Sequence, residues 1–217
     1  MSTFRKEDRN GRTLLMTRNL AKGYKVYNED LLMREGVEYR TWDPFRSKLA
    51  AAILKGLPEA SIREGDKVLY LGTSTGTTPS HVSDLVGEKG LLIGVESAPR
   101  VAREFIENVA RQRKNVIPYV ADARDPSKFS IAKVDVVYCD IAQPDQTEIA
   151  MENCRKMLKP GGILILVVKA RSIDVLKEPK EVFREERKKL EDAGFVVQST
   201  VELSPFDKDH ALILARR

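Results

Sequence analysis

Val68–Asp84 reads VLYLGTSTGTTPSHVSD, and this stretch decides the fold. An apolar run, Lys67–Leu71, leads into Gly72; small hydroxylated residues follow, Gly76 closes a tight turn, and Thr78–Val86 has the makings of a helix. A buried strand feeding a glycine-bounded turn and then a helix is the opening unit of a parallel sheet. The alternation continues outward from it. Strands are predicted at Leu91–Val95, Val116–Val120, Val134–Cys139, Gly162–Val168, Phe195–Thr200 and His210–Leu214, and helices at Pro99–Gln112, Gln146–Leu158 and Pro179–Ala193. Cores such as Ile163–Val168 are apolar without alternation, as strands covered on both faces are. Right-handed crossovers then give an α/β, Rossmann-like domain with a seven-stranded, mostly parallel sheet and helices on both faces.

Upstream the texture differs. Thr13–Thr17, Lys25–Tyr27 and Val37–Tyr39 are β-like and are separated by turn signals at Asn10-Gly11 and Lys22-Gly23. They predict a small antiparallel β-domain over residues 1–42, ahead of the main domain over 43–217. Thr41-Trp42-Asp43-Pro44 predicts a helix start with Asp43 as N-cap and Pro44 in the first position. Phe45, Leu49, Ala52 and Ile53 would share its apolar face, and Gly56 and Pro58 would end it.

Composition bounds the function. Among 217 residues the longest apolar runs are six long, Leu49–Leu54 and Ile163–Val168, far short of a bilayer-spanning helix. No apolar stretch follows the basic residues near the start, so no secretory signal is expected. Two cysteines and two histidines predict neither a disulfide framework nor a metal centre, and a reducing, cytoplasmic setting fits best. The net charge of +5 mildly favours a polyanionic partner, and Met1–Ala50 supplies most of the excess with 11 basic and 7 acidic residues.

Ligands of doubly wound sheets sit at the carboxyl ends of the strands, so those loops carry the chemistry. Gly72 and Gly76 let the backbone approach a ligand, and the following helix N-terminus suits a carboxylate or phosphate. The spacing is neither G-x-G-x-x-G nor a P-loop, so the dinucleotide and NTP fingerprints both fail, which disfavours an NAD-dependent oxidoreductase. Glu96 follows the second strand, where an acid can accept ribose hydroxyls; Asp122 follows the third in ADARD, and Asp140 ends the fourth in YCDIAQPDQ. Each acid alone could be a helix cap. Three at successive strand ends imply a nucleoside ligand. They repel polyphosphates but suit S-adenosyl-L-methionine, whose sulfonium and ammonium are positive and whose carboxylate fits a helix N-terminus. Lys169 ends the most apolar strand beside the same crevice. Lys48 lies at the edge of its helix's apolar arc, where a snorkelling role is the alternative. His210 opens the last strand, and His81 reads as structural.

At these residues the chain resembles archaeal fibrillarin, the methyltransferase family of box C/D guide ribonucleoproteins. The resemblance rests on GVEYRTWDPFRSKLAAAILKG, VLYLGTSTGTTPSHVSD, Val95–Glu104, ADAR, DIAQPDQ, VVKARSIDV and DKDHA, and it spans nearly the whole chain. It implies a small N-terminal β-domain, a seven-stranded methyltransferase domain, and ribose 2'-O-methylation of ribosomal and transfer RNA directed by a box C/D guide RNA. It implies cofactor contacts from Thr77, Thr78, Glu96, Ser97, Asp122, Ala123, Asp140, Ile141, Ala142 and Gln143. It also implies a Lys-Asp-Lys-His tetrad of Lys48, Asp140, Lys169 and His210. The implied partners are a Nop-domain scaffold protein and a kink-turn-binding, ribosomal-like protein. Thr73 and Ser74 stand where smaller residues are expected, and Ser97 where an aromatic residue is common.

In this chemistry Lys169 is the preferred general base, Asp140 orients it, Lys48 meets developing negative charge and His210 orients its neighbours. No RRM signature, KH loop or aromatic base-stacking platform is legible, so RNA contact is expected through backbone charge with little sequence preference. The alternatives are a non-catalytic ribonucleoprotein subunit and a protein-glutamine methyltransferase. Nothing in these residues points to the latter.

Overall fold

The computed structural model describes residues 4–9, 11–58, 61–129 and 132–217. The sheet that positions the site contains β5 (Lys67–Leu71), β6 (Leu91–Glu96), β7 (Val116–Val120), β8 (Val134–Cys139), β9 (Leu158–Lys169), β10 (Val196–Glu202) and β11 (His210–Arg216). Their order is β10-β11-β9-β8-β5-β6-β7, and β11 alone runs against its neighbours. Helices α2 (Thr77–Val86), α3 (Pro99–Asn108), α4 (Gln146–Met157) and α6 (Pro179–Asp192), with the single turn α5 (Ala170–Ile173), make the crossovers. Two large clusters of buried apolar side chains flank the sheet, one on each face: Val68, Tyr70, Val136 and Tyr138 contribute to one, and Leu69, Leu71, Val137 and Cys139 to the other. From Val68 to Leu71 and from Val136 to Cys139 alternate residues go to opposite clusters, as burial on both faces demands.

The chain winds outward through β5, β6 and β7, then returns to the other side of β5 with β8. The strand order therefore reverses between β5 and β8, the place where a doubly wound sheet opens a crevice. Leu71 pairs with Cys139 in parallel register, so Gly72 and Asp140 leave the sheet side by side.

The upstream sheet is antiparallel, in the order β1-β2-β4-β3, from β1 (Phe4–Arg9), β2 (Arg12–Arg18), β3 (Leu31–Arg34) and β4 (Val37–Thr41). Two expectations fail here. Lys25–Tyr27 forms no strand, because the Val26 and Tyr27 amides donate to the buried Glu29 carboxylate at 2.8 and 2.7 Å rather than to a neighbouring strand. Leu31–Arg34 pairs with β4 instead. Helix α1 spans Lys48–Leu54, capped by Ser47 rather than Asp43. The Asp43 carboxylate accepts the Phe45 amide at 2.8 Å, making a local turn through Pro44 that ends before the helix begins. Phe45 is consequently exposed rather than on the apolar face, while Leu49, Ala52 and Ile53 are buried.

A buried polar network joins this sheet to α2. Arg40 reaches Glu29 and Asp84, Thr17 donates to Asp84, and the His81 ring stacks on Trp42 with centroids 4.8 Å apart. His81 thus lies in the packing of α2 and away from the strand ends, as its sequence reading had it.

Candidate active site

A cleft of about 350 Å³ opens at the carboxyl ends of β5, β6, β7 and β8. Gly72, Glu96, Ser97, Asp122, Ala123, Asp140, Ile141, Ala142, Gln143 and Lys169 all line it. Gly72 adopts φ +83°, and a Cβ there would lie 2.7 Å from the Asp140 carbonyl oxygen. Only glycine permits the two strand ends to come this close. Gly76, Thr77 and Thr78, expected at the ligand, are not among the lining residues. Gly76 is instead a packing position, where a Cβ would sit 2.4 Å from Val109 Cγ2. Thr78 is buried and donates to Ser47 Oγ at 2.9 Å, tying the start of α2 to the start of α1.

The Glu96 carboxylate is fixed by two backbone amides, Ser74 N–H to Oε2 and Ala98 N–H to Oε1, each at 3.0 Å. Those bonds hold it in place while leaving lone pairs on both oxygens for hydroxyl donors. Ser74 reaches this position with a left-handed φ of +50°, unusual for a side-chain-bearing residue. Asp122 accepts the Arg124 amide at 2.9 Å. Arg124 was not singled out from sequence, yet it braces the far wall. Its guanidinium donates to both Asp145 oxygens at 3.1 and 2.7 Å and to Gln143 Oε1 at 3.0 Å. The hydrogen bond from Arg124 holds the Asp145 carboxyl below the usual carboxylate range. The loops after β7 and β8 are thereby locked together across the cleft.

The four tetrad candidates converge at the cleft's inner end. Lys169 Nζ lies 2.8 Å from Asp140 Oδ1 and donates to the Asp140 carbonyl at 2.9 Å. Lys48 Nζ approaches both Asp140 oxygens at 3.4 Å. One carboxylate therefore serves two ammonium groups, brought from α1 and from the end of β9. His210 pairs in register with Lys169 across β11 and β9, which sets it beside the same group. Its partner is one that sequence reading missed: Nδ1 lies 2.8 Å from Asp207 Oδ1 and 2.6 Å from the Lys208 carbonyl oxygen. Asp207 also reaches Lys48 at 3.9 Å. Burial alone would raise the Asp207 carboxyl. The His210 hydrogen bond and the charges of His210, Lys48 and Lys169 outweigh that, so it lies below its ordinary value. An acid three residues before a strand-opening histidine was the available signal. Cys139, next to Asp140, is an inert neighbour whose thiol burial pushes up to about 12.

With this geometry in view, similarity to known proteins is decisive. The family profile of fibrillarin matches residues 2–217. The chain belongs to the fibrillarin family. A fibrillarin-like rRNA/tRNA 2'-O-methyltransferase of Saccharolobus islandicus is 53% identical over 212 residues, 97% of this chain and 91% of that protein. Among solved structures, Aeropyrum pernix fibrillarin in complex with natively bound S-adenosyl-L-methionine superposes with a TM-score of 0.88 at 45% identity, covering 98% of this chain and 97% of the other. The fibrillarin of a fibrillarin/Nop5p complex matches with a TM-score of 0.88 at 39% identity, covering 100% and 98%. The fold expected from the strand and helix pattern is the family's fold.

Proposed function

We propose that this chain is an S-adenosyl-L-methionine-dependent RNA ribose 2'-O-methyltransferase acting on ribosomal and transfer RNA. The observation that carries the reading is the Asp140 carboxylate, shared between Lys169 and Lys48 at the point where the strand order reverses. The relatives' named activity and the cofactor bound by the Aeropyrum protein support it.

The residues present fit this cofactor. Glu96, anchored by two amides, offers acceptors for ribose hydroxyls, while Ser97, Asp122, Ala123 and the run Ile141–Gln143 form walls of adenosine size. Gly72 keeps the floor open, and Gly76, Thr77 and Thr78 hold the turn behind it. When bound, S-adenosyl-L-methionine would supply the methyl group: the ribose 2'-oxygen bonds to the methyl carbon in line with the breaking S–CH3 bond, and the sulfur leaves as a neutral thioether. Such a reaction depends chiefly on positioning. Asp140 fixes the Lys169 amine and complements positive charge in the cleft; Lys169, in its neutral form, takes the hydroxyl proton. Lys48 offsets negative charge growing on the 2'-oxygen, and His210, steered by Asp207, orients the ribose or the Lys169 amine. The residues that bind and react lie within 43–217, and the N-terminal unit over 1–42 buttresses α1 and α2.

The partners follow the same reading. No base-reading module accompanies the cleft among the described residues, and target choice falls to a box C/D guide RNA, held with a Nop-domain scaffold and a kink-turn-binding protein in the cytoplasm. The fibrillarin/Nop5p complex supports the scaffold. No helix among the described residues is long and apolar enough to cross a membrane. The test is transfer of a labelled methyl group into a guide-matched RNA, with this chain alone and in the reconstituted particle at the same salt. Guide-dependent transfer to one ribose is expected. Equal rates and equal selectivity without the partners would remove the guide from the account, and no transfer in either would remove the activity.

A further inference from the structure

The two partners of the Lys48–Asp140 contact are tied to the two ends of one turn. The turn between β5 and α2 begins at Gly72, where a Cβ would lie 2.7 Å from the Asp140 carbonyl oxygen. It ends in the first residues of α2, where Gly76 is wedged against Val109 and Phe105. Thr78 follows in that first turn, buried, and donates to Ser47 Oγ at 2.9 Å. The same Ser47 oxygen accepts the Ala50 amide at 3.4 Å and so caps α1. Lys48 is the next residue and the first of that helix. One end of the turn therefore abuts Asp140, and the other reaches, through two hydroxyl groups, the helix start that carries Lys48.

The two lysines reach Asp140 by different means. Lys169 pairs in register with His210, and its Nζ meets two acceptors on Asp140, at 2.8 and 2.9 Å. Lys48 has a looser grip, 3.4 Å to each Asp140 oxygen and 3.9 Å to Asp207. A long amine held so loosely goes where its backbone points it. That backbone belongs to a helix of seven residues, too short to hold its own start and without an acidic residue in its first turn. The cap bond from Ala50 is itself long, so the bond from Thr78 is what holds the Ser47 oxygen against α2. Ser47 is 3% and Thr78 7% exposed, and neither hydroxyl has bulk water as a substitute partner. Neither residue lines the cofactor cleft, so the cofactor does not account for this pair.

We propose that Ser47 and Thr78 are positioning residues for methyl transfer: their hydrogen bond fixes the start of α1 and thereby sets the Lys48 ammonium against Asp140 and the attacking 2'-oxygen. This rests on the RNA methyltransferase reading above, in which Lys48 offsets charge on that oxygen. Such charge grows only as the oxygen attacks, so a displaced Lys48 loses transition-state stabilisation and leaves ground-state binding alone. The signature is a lower rate at saturation, with the KM for RNA and the cofactor affinity unchanged.

The test measures single-turnover methylation of a guide-matched RNA in the reconstituted particle. Thr78→Val removes the hydroxyl, keeps the shape and leaves Ser47 bonded to Ala50; Ser47→Ala removes both bonds; Thr78→Ser restores the donor. Thr78→Val and Ser47→Ala are expected to slow transfer by about 10- to 100-fold, the cost of a small misplacement. Thr78→Ser should stay within a few-fold of wild type. S-adenosylhomocysteine affinity equal to wild type would verify that the variants fold. Because the effect runs through Lys48, adding Thr78→Val to Lys48→Ala should cost less than about twofold more. A crystal structure of Thr78→Val gives a readout that needs no turnover, with Lys48 Nζ withdrawn from Asp140. A wild-type rate for Thr78→Val, its full loss repeated on top of Lys48→Ala, or a loss that tracks weaker cofactor binding would each overturn the proposal. So would an unmoved Lys48 in that crystal structure. Absence of methyl transfer by the wild type would instead sink the activity itself, and the place of Lys48 in the variant would still decide whether Thr78 positions it.

Discussion

His210 Nδ1 lies 2.8 Å from Asp207 Oδ1, and the other oxygen of that carboxylate reaches Lys48 at 3.9 Å. Asp207 thus closes a chain that runs Lys169–Asp140–Lys48–Asp207–His210, with acidic and basic side chains in alternation. Each acid steadies the basic side chains on either side of it, which is how a constellation of long, flexible side chains keeps one geometry.

Asp207→Asn tests that chain. The substitution keeps the shape but removes the charge that orients the His210 ring and faces Lys48. S-adenosylhomocysteine affinity should be unchanged, because Asp207 does not line the cofactor cleft. Methyl transfer should fall by about 10- to 100-fold, the cost of a misplaced reacting group. A positioning role also predicts a change in the pH profile of the rate. Wild-type rate with a wild-type profile would reduce Asp207 to a surface acid.

Lys169→Arg separates charge from proton transfer. Arginine preserves a cation able to reach both the Asp140 carboxylate and its carbonyl, but it cannot give up a proton. If Lys169 accepts the hydroxyl proton, single-turnover methylation should fall by at least about 100-fold while cofactor affinity stays within a few-fold. Activity near wild type would assign Lys169 an electrostatic role and move the proton to Asp140 or His210.

The sequence carried most of this architecture because a parallel strand end is a local property. An apolar run that stops at Leu71, Val95, Val120 or Cys139 announces where the loop begins, so Gly72, Glu96, Asp122 and Asp140 were readable without knowing the sheet order. What escaped depends on contacts between distant segments. Asp207 and Arg124 gain their meaning from partners on other loops. Gly76 looked like a ligand-approach glycine, but its neighbour is Val109, thirty-three residues on. Phe45 was assigned to a buried face on the assumption that Asp43 starts the helix. Starting at Lys48 instead leaves Phe45 exposed in the preceding turn. Lys25–Tyr27 had the composition of a strand, and a buried carboxylate claimed its amides first.

Gly72→Ala should damage both stability and activity. The left-handed φ of +83° is costly for alanine, and the added methyl would meet the Asp140 carbonyl at 2.7 Å. That carbonyl also accepts from Lys169, so relieving the clash disturbs the tetrad. A loss of about 1–3 kcal/mol is expected, with weakened S-adenosylhomocysteine binding. Gly36→Ala is the control, since its φ of +77° is equally left-handed but nothing lies within 4 Å of a Cβ there. It should lose stability by about 1 kcal/mol through backbone strain alone and keep full activity. Equal activity losses in the two variants would show that the close approach at Gly72 has no functional weight.

The last prediction concerns acid. Thr17 spends its one hydroxyl proton on Asp84 at 2.9 Å, so the His81 Nδ1 that lies 2.8 Å from the same oxygen must be the donor. Its Nε2 then carries the lone pair, facing the Tyr27 hydroxyl at 2.6 Å and Arg40 Nη2 at 3.3 Å. Protonating it would set a second cation against Arg40 in a fully buried site. Burial, then the charges of Arg40 and Arg113, accordingly hold the His81 pKa well below its ordinary value. In the unfolded chain the ring protonates below about pH 6.5, while in the folded chain it stays neutral. The unfolded state therefore binds more protons, and stability is lost as pH falls through about 6.5, by up to about 1.4 kcal/mol per pH unit. Asp84 opposes this at lower pH. Burial raises its carboxyl, so the folded state takes up that proton first and the curve should flatten towards the carboxylate range. Denaturant unfolding at pH 7.5, 6.5 and 5.5 reads the slope, and His81→Gln should remove most of it at the cost of lower stability at pH 7.5. A wild-type midpoint that does not move between pH 6.5 and 5.5 would mean that His81 protonates in place, and the neutral ring assigned to this network would be wrong.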